Sequence, residues 1–283
     1  MIKRLRLEYD SDMNSVVAPR YARLLPASGP LSGASVILTR PSGTTRALQR
    51  RVRALGGTPF DLPGTALRKA TDAHAAKLAL GAARDADLVV FSSPAAVRFA
   101  FALWPELRFA RRAQVCAMGA ATARALQRRG VRDVLHPPRQ DSEGLLALPS
   151  FARLRGRRVA LVGASGGRDL LPQTLNKRGA HIERVHVYER ALPRFAARRL
   201  AALAELPSPL VTLASSADAL ANLRKVLPQA LCARLCAGEI VVSSARLAAA
   251  AQAHGFANVH VAASPAPRDL VETAQFALAR HRL

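Results

Sequence analysis

The feature that most constrains this chain is a local pattern that occurs six times. "ASVILTRP" is a short, β-branched apolar run ended by a proline turn. "TTRALQRRVRALGG" follows, and its apolar residues Ala47, Leu48, Val52 and Leu55 return at helical spacing before a glycine stop at Gly56 and Gly57. The same order appears in "ADLVVFSS" and "PAAVRFAFAL", in "AQVCAMG" and "AATARALQRRG", and in "RRVALVGASGG" and "RDLLPQTLNKRG". It appears again in "PLVTLASS" and "ADALANLRKVL", and in "GEIVVSS" and "ARLAAAAQAHG". Strands that are apolar throughout must be covered on both faces, and helices that alternate with them in the chain supply the cover. An α/β fold with parallel sheets is predicted.

The series is also duplicated. "DLVVFSSPAAVRFAF" resembles "PLVTLASSADALANL", with Ser92 and Ser93 standing 123 residues before Ser215 and Ser216, and the unit at 114–130 corresponds to the one at 239–255. Two similar parallel-sheet α/β domains follow, each with its ligand edge at the carboxyl ends of its strands and a ligand cleft between them. Two segments break the pattern. "DLPGTALRKA" (61–70) and "ERVHVYERALP" (183–193) are extended, polar and proline-marked, with no helix of their own. The chain is expected to leave one domain through the first and to return through the second, the two forming a two-stranded linker. The expected boundaries are 34–61 plus 194–283 for a discontinuous first domain, 62–70 and 183–193 for the linker, and 71–182 for the second domain. Residues 1–33, rich in proline, glycine and serine, read as an N-terminal extension with little fixed structure.

At 283 residues the chain exceeds the usual size of one core, which agrees with two domains. Half of the residues are apolar, with a mean hydropathy of +0.08, but charges interrupt every apolar run before the roughly 18 residues that a membrane helix needs. A soluble protein with no membrane contact is expected. The opening "MIKRLRLEYDSDM" lacks the apolar core of a secretory signal and carries Glu8, Asp10 and Asp12, so a cytoplasmic location is expected. Cys116, Cys232 and Cys236 form no disulfide framework, and buried free thiols with no metal are expected. The net charge of +23 points to an anionic partner, either nucleic acid or a small polyanion. Only five of the 42 basic residues are lysine, in an alanine-rich chain, a bias that a GC-rich coding sequence produces unaided. Aromatics make up 5% and do not interleave with basic runs, so stacking platforms for single strands are not expected. No apolar stripe calls for a second subunit, and a monomer is the default.

Catalytic machinery is sparse. "GASGG" at 163–167 follows a strand but lacks the spacing of a dinucleotide fingerprint. None of the seven histidines stands in a strand-end turn beside a serine, as a nucleophilic triad would need. What gathers at the strand ends is a set of hydroxyls and helix starts: Thr39, Ser92, Ser93, Thr122, Ser165, Ser215, Ser216, Ser243 and Ser244. Free amides and hydroxyls at helix N-termini bind carboxylates and phosphates, and the same residue types are ordinary helix caps. In "RVHVYERALP" (184–193) a tyrosine, Tyr188, stands among charges, and His186 lies two residues before it. Strand alternation puts both on one face.

Taken in order, "VILTRP", "DLVVFSSPAAV", "AMGAATARAL", "DSEGLL", "VALVGASGGRDLL", "GAHIERVHVYER" and "VVSSARLAAAA" make the chain, over about residues 34–283, similar to the uroporphyrinogen-III synthase family. The resemblance implies two α/β domains joined by a two-stranded ladder, with the substrate between them. It implies a lyase that closes the linear tetrapyrrole hydroxymethylbilane into a ring while inverting the last pyrrole, in haem biosynthesis, without metal or organic cofactor. Tyr188 matches the tyrosine of the family's "VY" motif and is the implied proton donor to the departing hydroxyl. Arg40 and Arg168 are placed for the substrate's carboxylates. Ser92, Ser93, Thr122, Ser165, Ser215 and Ser216 are carried over as hydroxyl and amide donors. In the second half the position matching Thr122 is Leu247, and the donors there are assigned to Ser243 and Ser244. Residues 1–33 have no counterpart in the family, and Met13 is a candidate start. A transient contact with the deaminase that makes the substrate is left open. So are two rival readings: a non-catalytic two-domain binder that closes on an anionic small molecule, and a nucleic-acid-binding module.

Overall fold

The computed structural model describes residues 29–279 apart from Gln140 and residues 167–169. In chain order the elements are β1 (Ser35–Leu38), α1 (Arg46–Ala54), β2 (Thr58–Asp61), β3 (Ala66–Lys69), α2 (Ala73–Ala83), β4 (Leu88–Phe91) and α3 (Pro94–Leu103). Then come β5 (Gln114–Ala117), α4 (Ala120–Gln127), α5 (Ser142–Leu146), β6 (Arg158–Ala164), α6 (Leu170–Lys177) and β7 (His181–Ala191). The chain closes with α7 (Ala197–Ala204), β8 (Leu210–Ala214), α8 (Ala217–Val226), α9 (Gln229–Cys236), β9 (Glu239–Val242), α10 (Ala245–Ala253), β10 (Asn258–Val261) and α11 (Pro267–Ala279).

Among the described residues the strands form two five-stranded sheets, ordered β10-β9-β8-β1-β2 and β3-β7-β6-β4-β5. Every pairing is parallel except β3 with β7. The central strands β1, β4, β8 and β9 are buried at every position, as uninterrupted apolar runs must be when helices lie on both faces. β2 carries Pro59, which lacks an amide hydrogen, and it lies at a sheet edge where that donor is not needed.

Alternate strand residues feed opposite faces. In the first sheet Val36, Leu38, Val211 and Leu213 pack on Leu48 and Val52 of α1 and on Leu270 and Val271 of α11. Ile37, Leu210, Ile240 and Val242 pack on the far side, against Leu203, Leu220, Leu231 and Leu247 from α7, α8, α9 and α10. The second sheet repeats the scheme: Val89, Phe91 and Val162 meet Leu80, Val97 and Leu126 of α2, α3 and α4, while Leu88, Val90 and Val159 meet Leu145 of α5 and Leu175 of α6. Each fully buried leucine contributes about 2 kcal/mol of transfer free energy. These stripes hold the layers together.

The duplicated halves are related by circular permutation. Strands β8 and β9 correspond to β4 and β5, and β1 and β2 to β6 and β7. In the first lobe the β1–β2 pair precedes the others in the chain, while in the second its equivalent follows them. Where the first sheet has β10, the second has a single parallel bridge between Cys116 and Leu135.

Of the N-terminal segment, residues 1–28 lie outside the described residues, as does Met13. Gly29–Gly33 form a turn that docks on the first lobe, where Leu31 is fully buried and its amide donates to Leu55 O at 2.9 Å. A single leucine between glycines and serines has no periodicity, so its burial left no mark in the sequence pattern.

The chain passes between the sheets at 62–65 and 192–196. Leu62 belongs to the core of the first lobe and Leu67 packs on the second. Between them Gly64 lies against α8: its amide donates to Thr39 O at 2.9 Å, and its carbonyl accepts from Asn222 Nδ2 at 3.0 Å. A Cβ on Gly64 would lie 2.4 Å from the carbonyl oxygen of Ala219 and 2.5 Å from its Cβ. Gly64→Ala therefore has to push α8 off the crossing. It is expected to cost about 1–3 kcal/mol, read as a lower urea midpoint with an unchanged slope.

Candidate active site

In each lobe the helices change faces between two adjacent strands whose carboxyl ends diverge, and such a point forms the crevice of an open α/β sheet. In the first lobe this lies between β1 and β8, and in the second between β4 and β6. Of the hydroxyls picked out in the sequence, Thr39, Ser215 and Ser216 follow the strands of the first crevice and Ser92, Ser93 and Ser165 those of the second, whereas Ser243 and Ser244 follow β9 and Thr122 lies in α4 after β5. Ser93, Ser216 and Ser244 cap α3, α8 and α10, their oxygens accepting from Ala96, Ala219 and Leu247 amides at 3.1, 3.4 and 3.3 Å. A capping hydroxyl uses one lone pair and keeps its own hydrogen to donate, so a cap retains the capacity to bind an anion.

The remaining expected residues are placed as follows. Ser92 extends the ladder through its amide to Val162 O at 3.0 Å, and its hydroxyl lies against Gly163, where a Cβ would come within 2.6 Å. Ser165 is exposed and its amide donates to Tyr188 O at 3.3 Å. Ser215 and Ser243 are half-buried beside their capping neighbours. Thr122 lies inside the first turn of α4 at 3% exposure, and Leu247, its match in α10, is a core residue too. The cap of α4 is Gly119. Arg168 lies outside the described residues.

Arg40 straddles the first crevice. Its Nε donates to Ser215 Oγ at 3.3 Å and its Nη2 to the carbonyl of Pro265, ahead of α11. Burial pulls the guanidinium below its ordinary value. Among the described residues no carboxylate pairs with it.

Tyr188 sits where β7 changes partners. Its backbone pairs with Ala164 of β6 on one side and with Lys69 of β3 on the other, so two ladders fix its position. The ring is 3% exposed, stacks on Phe99 at 5.2 Å between centroids, and places its hydroxyl 3.2 Å from Ser93 Oγ. The phenol and the cap of α3 thus form one hydroxyl pair at the second crevice.

The alternation expected for β7 fails at this residue. A bulge between Gly163 and Ala164 shifts the register, with Gly163 opposite His186 and Ala164 opposite Tyr188. Val187 and Tyr188 are both buried in the α3 cluster, whereas His186 is exposed and lines a different cavity. The expectation that His186 and Tyr188 share a face is therefore corrected: the extra residue of a bulge cancels the two-residue period.

Two cavities adjoin these elements. One of about 470 Å³ lies at the crossings, lined by Ser42, Asp61, Arg98, Arg194 and Arg199 among others. It draws on both lobes, and they touch there: a Cβ on Gly43 would lie 3.2 Å from Arg98 Nη1 of α3. Arg199 stacks over Phe60 at 4.2 Å and donates to the carbonyl of Asp61. Asp61 Oδ2 accepts from Gln49 at 2.6 Å, and its buried Oδ1 has no partner. The second cavity, about 370 Å³, lies at the strand ends of the second lobe, with Ser92, Asp141, Arg184, His186 and Arg190 in its wall. These arginines were not singled out from the sequence, because in a chain with 42 basic residues one arginine looks like another. Ser42 had a legible signal: Ser42–Gly43 and Ser165–Gly166 recur at the same 123-residue spacing, and both glycines have positive φ, 81° and 71°.

The site offers cations, hydroxyls, amides and a phenol. Cys116 is buried, which pushes its thiol up to about 12 and keeps it protonated. Among the described residues no group of three His, Cys, Asp or Glu side chains converges as metal ligands do, and no helix is long and apolar enough to cross a membrane.

Comparison with known proteins agrees with this architecture. The chain is 30% identical over 237 residues to uroporphyrinogen-III synthase of Salmonella typhimurium and 28% identical to that of Escherichia coli, in each case over 81% of this chain and 94% of the relative. The solved uroporphyrinogen-III synthetase of Helicobacter pylori shares the fold, with a TM-score of 0.55 at 14% identity over 85% of this chain and 98% of that one. A mutant uroporphyrinogen III synthase of Thermus thermophilus does so with a TM-score of 0.52 at 21% identity over 87% and 99%. The model of the family described as uroporphyrinogen-III synthase HemD matches residues 46–272, and with two permuted α/β lobes, crevices lined by hydroxyls and cations, and a buried phenol on the crossing strand, the chain belongs to the uroporphyrinogen-III synthase family.

Proposed function

We propose that the protein closes hydroxymethylbilane into uroporphyrinogen III, with inversion of the terminal pyrrole through a spiro intermediate. The observation that carries this reading is the pairing of two strand-end crevices rich in donors with a single weak acid, Tyr188, hydrogen-bonded to Ser93. The reaction asks for that inventory. Departure of the substrate's hydroxyl as water takes up one proton and leaves a cation spread over an electron-rich pyrrole. Attack by the substituted carbon of the last ring gives the spiro species, which reopens and recloses inverted, and the closing step releases one proton. A phenol that gives a proton at the start can recover one at the end. The substrate supplies the reactivity, and the protein supplies orientation and excludes water.

In this reading Tyr188 donates to the leaving hydroxyl, with Ser93 holding the phenol in place. Arg40 and Arg168 meet the substrate's carboxylates, and Ser92, Ser93, Thr122, Ser165, Ser215, Ser216, Ser243 and Ser244 act as hydroxyl and amide donors. Guanidinium–carboxylate contacts are charge-assisted and directional, which suits a substrate with eight carboxylates. Residues 34–61 with 194–283, and 71–182, act as the two units, joined through the segments 62–70 and 183–193, whose paired strands also extend the second sheet. The burial of Tyr188 supports a substrate that reaches the phenol through the second crevice. We place the enzyme in the cytoplasm as a monomer, with a transient contact to the upstream deaminase, and without a cofactor.

Freshly generated hydroxymethylbilane tests the activity. The type III isomer is expected, and a protein that leaves only the spontaneous type I product does not catalyse the inversion. Tyr188→Phe is expected to lower turnover about tenfold or more, equivalent to about 1.4 kcal/mol, with native circular dichroism. Wild-type rates in that variant remove the phenol from the chemistry. In a double-mutant cycle of Tyr188→Phe with Ser93→Ala, the two hydroxyls are expected to couple by about 1 kcal/mol in urea unfolding. Strict additivity rules out the bond between them.

A further inference from the structure

A third cavity, of about 400 Å³, lies on the second lobe away from both crevices. Its wall is made by the loop that leads into β5 and by the turn after α4. α4 starts at the carboxyl end of β5 and carries the chain back along the strand, so this cavity opens at the opposite edge of the sheet from Ser92, Ser93 and Tyr188. Its floor includes the buried side chains of Leu107 and Val115, with Phe109 beside them. Around that floor stand Arg108, Arg111, Arg112, Arg129 and Arg132, and Asp133 is the one acidic residue in the wall.

None of these five arginines is ion-paired among the described residues. Three are held in position by uncharged groups. Arg108 Nη1 donates to Leu107 O at 3.0 Å, Arg112 Nη2 donates to Asp85 O at 3.3 Å, and the Arg129 guanidinium lies over the Phe101 ring at 5.7 Å. Carbonyls and a ring face orient a guanidinium without neutralising it. The C-terminal dipole of α4 favours a cation at Arg129, but it does not extend to the 108–112 loop. Five like charges around one concavity repel each other and focus a positive potential into it, and a bound polyanion relieves both. Pre-positioned arginines lose little entropy on binding.

We propose that this cavity is a second, non-catalytic site for a small polyanion, of oligophosphate or polycarboxylate chemistry, whose charges meet the arginine rim. The site is independent of the cyclisation assigned above, since no residue in its wall belongs to the candidate active site.

Isothermal titration calorimetry on the full-length protein tests it, with tripolyphosphate and butanetetracarboxylate as the two probes. At low ionic strength saturable binding of at least one is expected, and the tighter probe identifies the source of the charge. Arg111→Glu together with Arg132→Glu is expected to weaken that probe about tenfold or more. Among the described residues neither side chain makes a hydrogen bond or an ion pair, and formation of the type III isomer is expected to be unchanged. Should the reversal disturb circular dichroism, Arg111→Gln with Arg132→Gln is expected to weaken binding at least threefold. The proposal fails if neither probe binds, if the variants bind as the wild type does, which would put the anion elsewhere, or if duplex DNA competes more tightly than either probe.

Discussion

The double pairing of β7 is the constraint on which the rest of the structure depends. Its first part runs parallel to β6 and its last part antiparallel to β3, and Tyr188 is bonded on both sides at the handover. The segment that returns toward the first lobe is thereby an integral strand of the second sheet. Only 62–65 and 192–196 are left as backbone between the sheets. These short spans seat Gly64 on α8 and pack the half-buried Phe195 against the core of the first lobe. The same handover sets the position of the phenol, which stacks on Phe99 and hydrogen-bonds to Ser93.

Charge is distributed to match a polyanionic substrate. The first crevice combines a helix cap that keeps its hydroxyl hydrogen with Arg40, which has no carboxylate partner among the described residues. Burial strengthens such contacts by excluding water, and it lowers the affinity of Arg40 for its own proton. Under the proposed function the protein contributes positive potential and a single acid, and leaves bond making to the pyrroles.

How much could be read in advance follows from the range of each interaction. The two sheets were legible because strands such as "VVF" and "LVTLA" announce burial on both faces through apolar runs alone, and the helices between them through period. The serine caps were legible because a cap acts within three residues. The docking of Leu31, the arginines Arg98, Arg194 and Arg199 in the interlobe cavity, and the side chains around the second cavity were not, since each depends on contacts between segments far apart in the chain. His186 shows the limit most sharply. Two-residue spacing put it beside Tyr188, and one extra residue in the ladder sent it to the other face.

The amino-acid order alone sufficed for the α/β class, the duplication and the family, because those rest on local periodicity and on motifs repeated at a constant spacing. Which hydroxyl meets which, where β7 bulges, and which of the many arginines gather around each cavity were settled by the packing of distant segments. Side-chain direction in a strand is set by register with its neighbours, and register is a property of the assembled sheet.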